Sequence, residues 1–221
     1  LVMQNGWASM KTDKLQLHLL RGLAGVSAMY CFFYAIAHLA LANAMILKMS
    51  APLFIPIIAA FWLKERLSML IIFVVLLGFI GVTLIIKPDI NEVDRVSLIA
   101  LMGGLFAAIA KTTVKKLTNT DKPANVVFYF AMTALIVSSI PAYLNWQTPD
   151  MQQLLQLILL GLLASGGQFF MTKAYSVAPA SQISHFSYST ILYASFFGWL
   201  LWGEWMDNWA WTGVLLVIIS G

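Results

Sequence analysis

The feature that most constrains this chain is a series of long apolar stretches that carry almost no charge. Seven of them run for 19 to 23 residues, and only Lys48 and Lys111 place a charge within them. They lie at residues 22–41, 44–63, 68–86, 96–114, 124–144, 151–172 and 180–202, and an eighth begins at Trp209. A helix needs about 20 mostly apolar residues to cross a bilayer. The sequence therefore predicts an all-α, polytopic membrane bundle with seven complete spans.

Composition excludes the other broad classes. Hydrophobic residues make up 61% of the 221 residues and charged residues 10%. A soluble domain has about 45–50% apolar residues and about 25% charged residues. So few polar side chains cannot cover a surface that faces water. The stretches are also too long for the strands of a membrane barrel, which are about 10 residues and alternate in polarity.

The sequence shows no pattern typical of an enzyme or of a metal or cofactor site. It has one cysteine, Cys31, and its histidines, His18, His38 and His185, are far apart. No phosphate-binding loop, zinc motif or nucleophile elbow is present. The net charge of +4 comes from basic residues between the apolar stretches, which is typical of membrane topology and not of nucleic-acid binding. An integral membrane enzyme remains the main rival class.

The basic residues predict the orientation. If alternate loops lie on opposite sides, ten Lys and Arg fall on one side, and only Lys87 and Arg95 on the other. The ten are Lys11, Lys14, Arg21, Lys64, Arg66, Lys111, Lys115, Lys116, Lys122 and Lys173. Positive charge marks the cytoplasmic side. We therefore expect a multi-pass protein of the inner (plasma) membrane with residues 1–21, 64–67, 115–123 and 173–179 in the cytoplasm.

A weak internal repeat links the two halves of the chain. A shift of 139 residues aligns 35–66 with 174–205. The identities are Ala35 with Ala174, Ser50 with Ser189, Leu53 with Leu192 and Glu65 with Glu204. The shift equals five spans, and an odd number inverts the second copy, as in many secondary transporters. This pattern predicts an incomplete first repeat at 1–87 and an incomplete second repeat at 96–221.

Several motifs resemble the EamA repeat of the drug/metabolite transporter superfamily. In the first copy they are AIAHLALAN from Ala35, Ser50-Ala51-Pro52, WLKERLS from Trp62, and Gly78 to Gly81; in the second they are Ala174 to Ala180 and LLWGE from Leu200. The second copy departs from the pattern where Ile191 replaces Pro52.

The resemblance implies ten helices, two inverted repeats and both termini in the cytoplasm. Compared with the ten helices of the family, this chain is expected to contain about eight: the first one to two are missing, and the last is cut. The first residue, which is Leu1 and not Met, agrees with this. It also implies a secondary-active transporter of small metabolites that works by alternating access, most often an exporter of amino acids or related compounds. Some relatives instead take up S-adenosylmethionine, which is the alternative.

The second span contains the residues that are least expected in a membrane helix. Lys48 is costly at membrane depth, so it is a candidate contact for an anionic or carboxylate group. The alternative is that its stem snorkels to the outer interface. Pro52 and Pro56 remove backbone donors and are expected to kink the helix, either beside a substrate path or for packing alone.

The seventh span carries a polar stripe. His185 and Tyr188 share one helical face with three serines, Ser181, Ser184 and Ser195. The stripe is expected to line a cavity, and the alternative is hydrogen bonding between helices. His185 titrates near neutral pH in its ordinary form, so it is also a candidate carrier of protons as the coupling ion.

Two further residues complete the predicted substrate contacts. Tyr34 lies one turn from Tyr30 on the first span, and it could stack on a substrate or belong to the core. Gln168 follows Gly166 and Gly167 near the inner end of its span and is a candidate hydrogen-bonding partner.

Other small and acidic residues are assigned to packing and caps. Gly22, Gly78, Gly81 and Gly161 are expected at close helix contacts, and Glu65 and Glu204 are expected to be interfacial anchors or helix caps. No complete span contains Asp or Glu. The visible path is therefore neutral to mildly basic, which favours neutral, zwitterionic or weakly anionic metabolites.

Overall fold

The computed structural model describes residues 12–39, 41–86, 95–203 and 207–220, and every regular element in these ranges is helical. We number the α-helices in chain order. They are α1 Leu15–His38, α2 Leu41–Lys48, α3 Ala51–Ile58, α4 Met69–Ile86, α5 Arg95–Leu117, α6 Pro123–Leu144, α7 Met151–Val177, α8 Ala180–Ser184, α9 Ser189–Trp202 and α10 Asn208–Ser220. A π-helix, Ala59–Leu63, continues α3, and a 3-10 helix, His185–Tyr188, joins α8 to α9.

The predicted spans coincide with helices, but not all of them are long and unbroken. Within the described ranges, five segments are long and apolar enough to cross a membrane: Leu15–His38, Ala44–Leu63, Arg95–Leu117, Pro123–Leu144 and Met151–Val177. Met69–Ile85 and Asn208–Ser220 are shorter apolar helices. The predicted span at 180–202 is divided by the 3-10 helix, so a single continuous helix there was wrong.

The first helix begins seven residues earlier than the sequence suggests. Residues 1–20 were expected in a loop that enters the first span, because they are polar and mixed, with Lys11, Asp13, Lys14 and His18. His18 and Arg21 lie before the predicted start at residue 22. Both side chains instead turn inward and are buried, with 1% and 4% of their surfaces exposed. Charged residues end a membrane helix only when they face water, and these two face protein.

The described chain forms two compact units. The first comprises Leu1–Val26 and Thr113–Ala178, and the second comprises Ser27–Thr112 and Pro179–Gly221. Each unit combines segments from both halves of the sequence. The units therefore divide the chain differently from the predicted repeats at 1–87 and 96–221, which stay a prediction.

In the first unit, α6 and α7 are joined by a loop that ends in a capping box. The Gln153 backbone N–H donates to Asp150 Oδ1 at 2.8 Å, and the Asp150 N–H donates to Gln153 Oε1 at 3.0 Å. Residues 151–165 of α7 are all exposed. No described atom lies within 4 Å of a Cβ placed on Gly161, so the predicted close contact there was wrong. At Gly22 it was right, because the same Cβ would lie 2.6 Å from Thr133.

In the second unit, α4 and α10 approach closely where glycines remove side chains. A Cβ on Gly78 would lie 2.8 Å from Ser220 Oγ, and one on Gly81 would lie 2.9 Å from Val217 Cγ2. Under the shift of 139, Gly78 is equivalent to Val217 and Gly81 to Ser220. The contact between Gly78 and Ser220 is therefore the repeat equivalent of the contact between Val217 and Gly81. Reciprocal contacts of this kind mark a local twofold relation. Lower numbers on one helix meet higher numbers on the other, as in antiparallel helices.

The core of the second unit lies beside this pair. Six buried side chains form one apolar cluster: Ile46, Met49, Val82, Tyr188, Ile191 and Val217. Met49 and Tyr188 are equivalent under the shift of 139. The cluster therefore contains the same repeat position from each of the two copies.

Candidate functional site

The two repeat-related helices are interrupted at the same register. The first break is the turn Met49–Ser50, between α2 and α3. The second break is the 3-10 helix His185–Tyr188, which ends where α9 begins at Ser189. Under the shift of 139, the first break corresponds to residues 188–189, so the two breaks overlap at Met49 and Tyr188. Ser50 lies within the first break, and its equivalent, Ser189, directly follows the second. Irregular backbone at membrane depth is tolerated where it is buried in protein or lines a wet path.

One serine makes the same hydrogen bond at both breaks. Ser50 Oγ donates to the Leu47 carbonyl at 2.6 Å, and Ser189 Oγ donates to the Phe186 carbonyl at 2.6 Å. Phe186 is the equivalent of Leu47. A hydroxyl that bonds back to a preceding carbonyl competes with the helical ladder and bends the helix. The two breaks therefore share an equivalent serine bond, which also occurs at Ser139 and Ser176 in uninterrupted helices.

Proline has a different position from the one predicted. Pro52 lies in the first turn of α3, after the first break, where its missing N–H needs no helical partner. Pro56 lies within α3 and precedes the π-helix. The second copy has Ile191 in place of Pro52 and is still interrupted, so the break does not require that proline. The kinks expected at Pro52 and Pro56 stay a prediction.

The second break concentrates polar groups that lack protein partners. Tyr188 is fully buried in the apolar cluster, yet its hydroxyl has no hydrogen-bond partner among the described residues. His185 is half-buried, and its ring centroid lies 4.5 Å from that of Phe186. Its Nδ1 atom is buried and finds no hydrogen-bond partner in the described part of the chain. Buried polar atoms are normally paired. These two atoms are therefore available to a ligand or to water.

A lysine that the sequence argument assigned to topology also reaches the second break. Lys111 Nζ donates to Ser187 Oγ at 2.9 Å, and the lysine side chain is half-buried. It lies on α5 six residues before the end of the helix, about 9 Å from the end at 1.5 Å per residue. Its position within an apolar stretch was the signal that could have identified it.

Lys48 and Tyr34 do not join that cluster. The Lys48 ammonium lies 4.1 Å from the centroid of the Phe32 ring, a cation–π contact, and the side chain is otherwise exposed. The exposed Tyr34 ring stacks on His38, with centroids 4.2 Å apart. In the described chain, neither side chain makes a hydrogen bond or ring contact with His185 or Tyr188. Their predicted roles stay predictions.

Gln168 lies in the first unit and pairs with a buried cation. Arg21 Nη2 donates to Gln168 Oε1 at 2.9 Å, and the guanidinium carbon lies 3.9 Å from the centroid of the Phe130 ring. The Arg21 Nε atom has no hydrogen-bond partner among the residues that the structure describes. Arg21 was counted only as a topology signal, because a sequence does not show whether an arginine at a helix end turns inward.

His18 and Asp121 form an ion pair in the same unit. His18 Nε2 lies 2.7 Å from Asp121 Oδ2, which also accepts a hydrogen bond from Thr12 Oγ1 at 2.6 Å. Burial alone would raise the pKa of Asp121. The hydrogen bonds from Thr12, His18 and Thr120, together with the charge on His18, outweigh burial and lower this pKa.

Glu65 caps a helix of the other repeat. Its Oε1 accepts from the Ala180 N–H at 2.7 Å, and its Oε2 accepts from the Ser181 N–H at 3.0 Å and the Ser181 hydroxyl at 2.7 Å. The chain reaches this position through Lys64, whose φ of 56° is left-handed. The prediction of a cap is confirmed for Glu65. Its repeat equivalent, Glu204, lies outside the described residues.

Across the described part of the chain, no three His, Cys, Asp or Glu side chains come together as a metal site would require. The polar groups within the described helices are instead cations, hydroxyls, imidazoles and amides. Such groups hold a small polar solute by hydrogen bonds and by attraction of negative charge.

Comparisons with known proteins find transporters among the relatives of this chain. The chain is 28% identical to the pseudopaline exporter CntI of Pseudomonas aeruginosa (strain UCBPP-PA14) over 222 residues, which cover 100% of this chain and 78% of that protein. It is 29% identical to a riboflavin transporter of Vibrio cholerae (96% and 72% covered) and 27% identical to an S-adenosylmethionine uptake transporter of Rickettsia bellii (98% and 75% covered).

The fold is also found in a solved structure. A crystal structure superposes with a TM-score of 0.82 at 16% identity and covers 99% of this chain and 78% of that one. The model of the EamA-like transporter family matches residues 1–87 and, a second time, residues 95–220. Because these two matches cover nearly the whole sequence, the chain belongs to the EamA-like transporter family.

Proposed function

We propose that this multi-pass membrane protein carries small metabolites by secondary-active transport with alternating access. The observation that carries the proposal is the pair of breaks at one register of two repeat-related helices, with unpartnered polar atoms of His185 and Tyr188 at the second break. In transporters built from inverted repeats, the substrate site lies near the midplane, where discontinuous helices meet.

The proposed substrates are amino acids or related neutral or zwitterionic compounds, moved outward. The cations and hydroxyls within the helices support this class. Substrate contacts are proposed at Tyr34, Lys48, Gln168, His185 and Tyr188, with protons as the coupling ion. The alternative is uptake of S-adenosylmethionine or a similar metabolite, which is favoured by the similarity to an uptake transporter named for that compound.

Transport by the reconstituted full-length protein tests the proposal. Proteoliposomes are loaded with labelled amino acids, nucleosides, riboflavin or S-adenosylmethionine, with and without a pH gradient. We expect saturable movement of at least one compound, and a change of rate with the gradient if protons are coupled. A protein that moves none of these solutes while it turns over a substrate chemically would be an enzyme, and the proposal would be lost.

The proposed orientation in the inner membrane has a separate test. Asn119 lies in the loop between α5 and α6, which the basic residues place in the cytoplasm. After Cys31 is replaced by serine, an Asn119→Cys variant should resist a membrane-impermeant thiol reagent in intact cells and react in permeabilised cells. Modification from outside intact cells would invert the topology.

A further inference from the structure

The first unit contains a buried positive charge that forms no salt bridge with any described carboxylate. Arg21 is 4% exposed, donates from Nη2 to Gln168 Oε1, and covers the Phe130 ring. Three carboxylates of this unit are described: Asp13 is exposed, Asp121 pairs with His18, and Asp150 caps α7. None of them forms a salt bridge with Arg21. A charge buried in a membrane helix without a counter-ion is costly, and such residues mark substrate pathways.

Donors near this guanidinium are also without acceptors. Since a guanidinium only donates, the Gln168 oxygen must face Arg21, which leaves the amide nitrogen of Gln168 with no acceptor among the described residues. Within the described ranges, Arg21 Nε and Thr172 Oγ1 are also buried without a hydrogen-bond partner, and Thr172 lies one turn beyond Gln168 on α7. The face formed by α1 and α7 therefore presents several hydrogen-bond donors and no negative charge.

We propose that Arg21 and Gln168 form the binding site for the carboxylate group of the transported metabolite. This inference rests on the proposed function and deepens it, because it restricts the substrates to compounds with a carboxylate. A guanidinium binds a carboxylate through two parallel hydrogen bonds, and the Gln168 amide nitrogen adds a neutral donor. A lipid phosphate is the other anion with suitable chemistry, but a side chain that binds headgroups faces the bilayer, and Arg21 does not.

A direct test observes the Arg21 Nε–H group by NMR. The full-length protein, labelled with ¹⁵N at arginine Nε, is placed in nanodiscs of zwitterionic lipid and titrated with sodium acetate, acetamide or sodium chloride. Loss of one resonance in Arg21→Lys assigns the signal. We expect acetate to shift this resonance saturably, while acetamide and chloride at equal concentration leave it in place.

Gln168→Glu separates a binding role from a structural role. The new carboxylate would neutralise Arg21 from within, so the unfolding temperature should rise under either role, but only a binding site would lose its response to acetate. Gln168→Ala should weaken the acetate response about tenfold, since a hydrogen bond to a charged group is typically worth at least that factor. Gln147→Glu, on an exposed loop of the same unit, is the matched control and should leave the response unchanged.

Three results would overturn the site: an Arg21 resonance that acetate does not move, an acetate response that survives Gln168→Glu, or a shift that appears only when phosphatidylglycerol is added to the nanodiscs. The proposed function fails separately. If the protein transports a solute but shows no acetate response, the carboxylate site is rejected and the proposed function is kept. If it responds to acetate but transports nothing, the proposed function is rejected and the anion site is kept.

Discussion

The two broken helices share a backbone design and differ in what surrounds it. At the first break, the buried Ser50 hydroxyl lies against Gly104 of α5 in a tightly packed site. At the second, the equivalent Ser189 is half-buried, and the preceding residues carry an imidazole and a tyrosine hydroxyl without partners. Both copies of the repeat are therefore interrupted beside the equivalent serine. The buried polar groups without a described partner, those of His185 and Tyr188, lie at the second break.

The largest expected effect comes from the contact that links the two copies. Glu65→Ala removes one carboxylate and leaves the first two N–H groups of α8 without their acceptors. Charge-assisted hydrogen bonds and helix caps predict a loss of about 2–3 kcal/mol in the free energy of unfolding. It is measured by denaturant titration of the purified full-length protein in detergent.

Arg66→Ala is the matched control for Glu65, because the neighbouring Arg66 side chain is exposed. Its effect should stay within about 0.5 kcal/mol. Equal losses for the two variants would mean that the cap at α8 contributes no more than an ordinary surface residue.

The next effect tests the tight packing at the first break. A Cβ on Gly104 would overlap the Ser50 hydroxyl and lie 3.0 Å from the Leu47 carbonyl oxygen. Gly104→Val should therefore cost about 1–3 kcal/mol of stability through overpacking. Gly161→Val, where no described atom lies within 4 Å, should keep the unfolding midpoint of the parent protein. A tolerated Gly104→Val would show that the first break is not confined.

A smaller pair of changes compares the breaks themselves. Ser50→Ala removes a hydrogen bond at a buried site and should cost about 1 kcal/mol. Ser189→Ala removes the equivalent bond at a half-buried site, where water can replace it, and should cost about half as much or less. Both are measured by denaturant titration. A larger loss at Ser189 would reverse the contrast that we infer between the copies.

The smallest effect lies outside both breaks and involves Asp121. Its pKa is lowered in the folded protein, so its stabilising contribution is complete above the ordinary aspartate pKa and is lost as pH falls through the lowered value. In Asp121→Asn, the unfolding midpoint at neutral pH should be slightly lower than in the wild type. As pH falls, the variant should lose less stability than the wild type, because it has no carboxylate to protonate at this position. Midpoints recorded from neutral to acidic pH check this, and an identical acid profile for the variant would contradict it.

Apolar stretches predicted the helices well because membrane helices are selected by length and hydropathy, both visible in sequence. They misplaced the start of α1, since inward-facing His18 and Arg21 look the same in sequence as residues of a cytoplasmic loop. The repeat could be found from Ser50, Ser189 and the two glutamates. The breaks were not predicted, because only kinks at Pro52 and Pro56 were expected and proline is the stronger local signal.

The candidate site was less visible. Tyr188 and His185 were identified by their helical spacing, but the partner of Gln168 and the reach of Lys111 depend on side-chain directions at contacts far apart in sequence. Gly161 was assigned to a close contact by residue type alone, and small residues occur on exposed helix faces as well.

Transport by three variants of the full-length protein tests the central claim most directly. Tyr188→Phe, His185→Leu and Lys48→Met are each scored for folded yield and for transport in proteoliposomes. Tyr188→Phe removes a hydroxyl that has no partner in the described ranges, so its yield should match the wild type while transport falls. We predict lost transport at normal yield for Tyr188→Phe and His185→Leu, and a smaller loss for Lys48→Met. Wild-type transport in all three would contradict the account and place the substrate path elsewhere.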